Sequence, residues 1–137
     1  MKKFLGIDYG TRRIGLAFNV ASLAEPFLVI ANKTSEENPI VNEEALSKIS
    51  NICQEKAIDE IVLGISEAQM ALKIKDFALL LEKKTSLPVN MVDETLSSYE
   101  VGRRMKEAGF SLKKRQGQID HYSAALILED FLENLPL

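Results

Sequence analysis

A chain of 137 residues with 46% hydrophobic and 27% charged residues has the length and composition of one folded domain, not of a disordered or repetitive chain. No apolar run approaches the roughly 18 residues needed to cross a bilayer, and Asp8 interrupts the short apolar stretch after Lys2 and Lys3, so the chain reads as neither membrane-bound nor secreted. Seventeen Lys and Arg against 20 Asp and Glu give a net charge of −3, and the one cysteine, Cys53, excludes a disulfide framework.

From the N-terminus, Phe4, Leu5 and Ile7 predict a short buried strand, and Ile14, Leu16, Ala17 and Phe18 a second one after a tight turn. Between them lies Asp8, at the point where an apolar strand enters a turn. Gly6, Gly10 and Gly15 remove side-chain bulk around it, room that a phosphate or hydrated ion could use. A third strand is expected over 25–31, followed by a loop at 34–39. Leu46, Ile49 and Cys53 at helical spacing predict a helix from about Asn42 to Lys56, with Cys53 a core thiol.

Ile61, Val62 and Leu63 form the next expected strand, ending at Gly64. Ile74, Phe77, Ala78 and Leu81 mark a second helix, Thr85–Pro88 a turn, and Val89–Val92 a fifth strand. Ser97 with Glu100 is a capping-box pattern that predicts a helix ending near Gly109. A last helix is expected from about Gln118 to Leu135. The order predicts an α/β fold: a mixed five-stranded sheet, three antiparallel strands in a meander plus parallel ones, with helices on both faces.

Three carboxylates stand out. Asp120 precedes Ala124, Ile127 and Phe131 by four, seven and eleven positions, so it shares the stripe that packs on the sheet; it reads either as the N-cap of that helix or as a site residue. Asp93 and Glu94 follow the fifth strand directly. Converging acids repel one another unless cations lie among them, and oxygen-only ligands suit Mg²⁺ or Mn²⁺, which can serve phosphodiester hydrolysis. One His and one Cys make neither a zinc site nor a nucleophilic triad, and His121 reads as a rim residue.

Residues 102–118 carry +5, from Arg103, Arg104, Lys106, Lys113, Lys114 and Arg115 against Glu107, leaving −8 on the rest. Such asymmetry steers a polyanion to one face, although a solvated helix face has the same composition.

GIDYGTRRIGLA near the start, VDETLSS, and AGFSLKKRQGQIDHYSAALILEDFL near the end, in that order, resemble the YqgF/RuvX family of ribonuclease H-like bacterial proteins. The resemblance covers nearly the whole chain. It implies a ribonuclease H-like fold and a cytoplasmic nuclease acting in 5′-end processing of pre-16S rRNA, or alternatively a Holliday junction resolvase acting on branched DNA. By motif, Asp8, Glu94 and Asp120 correspond to the family's catalytic, metal-binding acids. Thr11, Arg12 and Arg13 beside Asp8 join Arg103, Arg104, Lys106, Lys113, Lys114 and Arg115 as candidate nucleic-acid contacts, for a monomer or homodimer.

Two departures fall near these motifs. Thr95 stands where the family's D-E-R motif has arginine, exchanging a bidentate phosphate ligand for a neutral hydroxyl. The loop after Gly64 is shortened and carries Glu67. A metal-free nucleic-acid-binding scaffold would tolerate both changes, whereas retention of all three acids favours a nuclease. The D-x-G turn also resembles the phosphate motif of actin-like ATPases, whose second domain 137 residues cannot supply.

Overall fold

A computed structural model describes residues 1–65, 71–93 and 112–135; for 65, 71, 93 and 112–121 it describes the backbone alone. The five expected strands are all present: β1 (Phe4–Asp8), β2 (Arg13–Val20), β3 (Leu23–Ala31), β4 (Glu60–Ile65) and β5 (Val89–Asp93). They form one sheet in the order β3-β2-β1-β4-β5. β1 pairs antiparallel with β2 and parallel with β4, β2 pairs antiparallel with β3, and β4 parallel with β5. Pro26 lies in β3, at the sheet edge and opposite the register shift between Leu16 and Ala17, the kind of position to which proline is confined within sheets.

Alternation along the strands sorts side chains onto two faces. Leu5, Ile7, Ile14, Leu16, Ile61 and Leu63 face α1 (Glu43–Glu55) and α2 (Ala71–Thr85), where they bury Ile49, Phe77 and Leu81. Phe4, Ala17 and Val62 face α3 (Leu112–Glu133) and bury Ala124, Ile127 and Leu128. β1 is central and is covered on both faces, so its first four residues are all buried.

The helix ends follow local chemistry. Asn42 caps α1, accepting from the amides of Glu44 at 2.9 Å and Ala45 at 3.4 Å. At its far end Ala57 takes φ 52° while its amide donates to Gln54 O and that of Ile58 to Cys53 O, a Schellman closure made without glycine.

One helix boundary differs from the expected position. α3 begins at Leu112, not near Gln118, so Asp120 lies about two turns inside the helix and is not its N-cap. Lys113, Lys114, Arg115 and Gln118 continue the helix with good intrinsic propensity despite Gly117, and the apolar stripe alone had marked only the portion that packs on the sheet. The helix expected over 97–109 lies outside the described residues.

Candidate active site

Asp8 is the last residue of β1 and is half-buried. Its register partners are Gly15 on β2 and Gly64 on β4, both glycine. Neighbouring strands lie about 4.8 Å apart, so the row on either side of the Asp8 carboxylate holds no side chain competing for that space. The next residue in the row is Val92 of β5, so β5 ends at Asp93 one step beyond the level of Asp8. Glu94 follows directly in sequence and lies outside the described residues.

The turn after Asp8 is braced from outside itself. A Cβ on Gly10 would come 2.4 Å from the Arg13 carbonyl oxygen, a distance that only glycine avoids. Asn32, 2% exposed, donates its Nδ2 to Gly10 O at 2.9 Å and Ile40 O at 3.2 Å, and its own amide donates to Arg12 O at 2.8 Å. Asn32 Oδ1 accepts from the amide of Asn42, the α1 cap, at 2.8 Å. The Tyr9 hydroxyl donates to Ile40 O, and burial raises its pKa. Thr34 donates to Thr11 O at 3.2 Å. Arg12 and Arg13 are exposed on this braced turn, and Thr11 is half-buried.

Sequence reasoning did not single out Asn32. An asparagine after a strand reads as ordinary loop chemistry, and only the buried convergence of residues 9–13, 32 and 40–42 gives it a role.

α3 runs antiparallel to β1. The Phe131 ring packs edge-on against Phe4, with centroids 5.2 Å apart, whereas a Cβ added to Gly6 would lie 2.9 Å from both Ala124 O and Leu128 Cβ. Gly6 therefore admits the helix to the strand, and Gly10 closes the turn; of the three glycines expected to make room beside Asp8, Gly15 does so, and Gly64 supplies the other flank. Two strand residues span about 6.6 Å and four helix residues about 6 Å, so the backbone of 120–122 comes level with Asp8.

The backbone places Lys113, Lys114 and Arg115 in the first turn of α3, which has no acidic residue there. Cations at a helix N-terminus meet the positive end of its dipole, a local cost that a bound polyanion would relieve. Arg103, Arg104, Lys106, Thr95 and Glu67 lie outside the described residues. Among the described side chains no three His, Cys, Asp or Glu stand together, and Asp8 is the one member of the expected acidic trio whose side chain is described. Its chemistry suits a hard cation: a carboxylate oxygen at a strand end with glycines on both flanks. No described helix is long and apolar enough to cross a membrane.

A family model described as "RuvX: Holliday junction resolvase" matches residues 2–134. A protein of Oleidesulfovibrio alaskensis assigned as a pre-16S rRNA nuclease is 34% identical, with 98% of this chain and 93% of that protein covered. A Chlamydia caviae protein with the same assignment is 38% identical, covering 98% and 85%. Among solved structures, Thermus thermophilus RuvC in complex with Holliday junction substrate is similar with a TM-score of 0.58 at 14% identity, covering 98% of both chains. The fowlpox virus resolvase in complex with Holliday junction DNA gives 0.58 at 12%, covering 98% and 99%. At such identities the structural likeness establishes the ribonuclease H-like fold.

Proposed function

The chain belongs to the RuvX family, and on that footing we propose that it is a divalent-metal-dependent nuclease that hydrolyses phosphodiester bonds in the 5′-end processing of pre-16S rRNA, in the cytoplasm. The observation that carries this reading is Asp8, half-buried at the end of the central strand between Gly15 and Gly64, with the α3 backbone of 120–122 running level with it. Asp8, Glu94 and Asp120 are the residues we assign to hold Mg²⁺ or Mn²⁺. The cations supply positive charge that offsets the repulsion among the acids and polarises the phosphate.

The rest of the work falls to the chain's own residues. The braced turn holds Thr11, Arg12 and Arg13 beside Asp8, where exposed guanidiniums can meet phosphate oxygens. Lys113, Lys114 and Arg115 at the start of α3, with Arg103, Arg104 and Lys106, extend the positive surface along the nucleic-acid backbone. Such contacts orient a strand without reading its bases, as a processing nuclease requires.

The family description favours a second substrate, branched DNA, and one experiment separates the two. Purified protein is incubated with Mg²⁺ or Mn²⁺ and either a pre-16S leader RNA or a four-way DNA junction, beside Asp8→Asn. Cleavage of the leader, reduced at least about a hundredfold by Asp8→Asn, is expected. Cleavage of the junction with the leader intact would select the resolvase reading, and equal rates for Asp8→Asn and the unaltered chain would sink both.

A further inference from the structure

Among the described residues, Ser123 Oγ is the one buried side-chain nitrogen or oxygen without a hydrogen-bond partner. Ser123 is 1% exposed and lies within α3. A serine inside a helix commonly bonds a carbonyl of the preceding turn, and this one does not. Leaving a hydroxyl unpaired away from water is unfavourable, and packing does not require one here. Ala124 and Ala125 follow directly, and alanine is both apolar and the better helix former. The oxygen therefore serves something other than the core.

Its place in the fold identifies the acceptor. Phe4 faces α3 and a Cβ on Gly6 would touch that helix, so by alternation Asp8 stands on the same face of the sheet. Ser123 precedes Ala124, whose carbonyl oxygen lies over Gly6, and follows the 120–122 backbone that comes level with Asp8. It thus sits beneath the site, next to the apolar cluster that holds Val62, Ala124 and Ile127. Asp120 precedes it by three positions, the spacing at which helix residues are neighbours with Cβ atoms about 5–6 Å apart. We propose that Ser123 is a positioning residue, whose hydroxyl donates to the Asp120 carboxylate when Mg²⁺ or Mn²⁺ is bound and holds that carboxylate in its ligating orientation. This role rests on the assignment of Asp8, Glu94 and Asp120 as metal ligands. A carboxylate that ligates through one oxygen has the other left to accept, and a buried hydroxyl on the same helix is a donor already desolvated and held in place.

Equilibrium binding of Mn²⁺ to the full chain tests it, followed by the electron paramagnetic resonance signal of the free ion, with thermal melting of the metal-free protein alongside. Ser123→Ala should bind Mn²⁺ about tenfold more weakly or worse, the effect expected when the partner behind a ligand is lost. Its metal-free melting temperature should be unchanged or higher, because an unpaired buried oxygen has been removed. Ser123→Cys, which keeps the size but is a weak donor, should lose affinity as alanine does. Unaltered affinity in Ser123→Ala, with binding abolished by Asp8→Asn, overturns the proposal and leaves the metal assignment standing. Full affinity in Ser123→Cys would mean that volume alone matters, and a metal-free melting temperature several degrees lower in Ser123→Ala would mean that the hydroxyl supports the fold itself; either overturns the proposal. An unaltered chain that binds no Mn²⁺, or one that binds it no better than Asp8→Asn, overturns the metal assignment and this role with it.

Discussion

Asn32 and Gly10, 22 residues apart, are joined by a partly buried hydrogen bond of 2.9 Å from the side-chain amide to the carbonyl oxygen, which fixes the turn immediately after Asp8. The same side chain reaches Ile40 and the Asn42 cap, so the site turn and the start of α1 share one buried polar anchor. A loop held this way keeps Arg12 and Arg13 in a set direction without being packed in the core.

Asn32→Asp should destabilise the protein by about 2–4 kcal/mol at neutral pH, because a carboxylate replaces the donor facing two carbonyl oxygens. The buried acid will have a folded pKa above its unfolded value. The deficit is therefore full above that raised pKa and shrinks as pH falls through it, when the protonated group can donate again. Urea denaturation at neutral and mildly acidic pH checks both sign and size, and a deficit that grows on acidification would contradict this account.

Gly6→Ala should cost about 1–3 kcal/mol by pushing α3 away from β1, because the new methyl would need space held by Ala124 O and Leu128 Cβ. The displaced helix carries the 120–122 backbone that comes level with Asp8. Nuclease activity should consequently fall even at temperatures where the variant is fully folded. Activity and thermal melting on the same samples decide this, and a variant with unaltered stability would mean that the two elements are less closely packed than described.

Cys53 should be inert in the native protein. It is 5% exposed beside a cavity of about 220 Å³ formed with Ser50, Gln54, Ala57, Ile58, Thr85 and Leu87, and burial pushes its thiol from 9.0 up to about 11. A rise of two pH units cuts the thiolate fraction about a hundredfold at weakly alkaline pH, so native alkylation should be slower than in the urea-unfolded chain by at least that factor. The neutral thiol's contribution to stability is full below the unfolded pKa and is lost as pH rises towards 11. Mass spectrometry after timed iodoacetamide treatment measures the ratio.

Neutralising Lys113, Lys114 and Arg115 together should weaken nucleic-acid binding about equally for different sequences. It should also reduce the slope of log affinity against log salt by roughly 0.7–0.9 for each phosphate that the protein no longer neutralises. The measurement uses an Asp8→Asn background so that substrate survives. An unaltered slope would remove the start of α3 from the binding surface.

Local sequence was enough to establish the order of the described strands and helices, because the periods of apolar residues in 4–7, 14–18, 61–63 and 74–81 report which side of each element meets the core. It also placed Asp8 at a strand end, since a carboxylate inside a buried run costs too much to lie anywhere else. Only the folded chain reveals that Gly15 and Gly64 flank Asp8, that Gly6 makes room for Ala124 and Leu128, and that Asn32 holds Gly10. It also moved the start of the last helix to Leu112, which ended the reading of Asp120 as a cap. The reason is one of range. Periodicity and capping act between residues a few positions apart and leave a mark in the local sequence, whereas strand register and helix-to-strand approach are set by residues tens to more than a hundred positions apart, whose proximity no local pattern records.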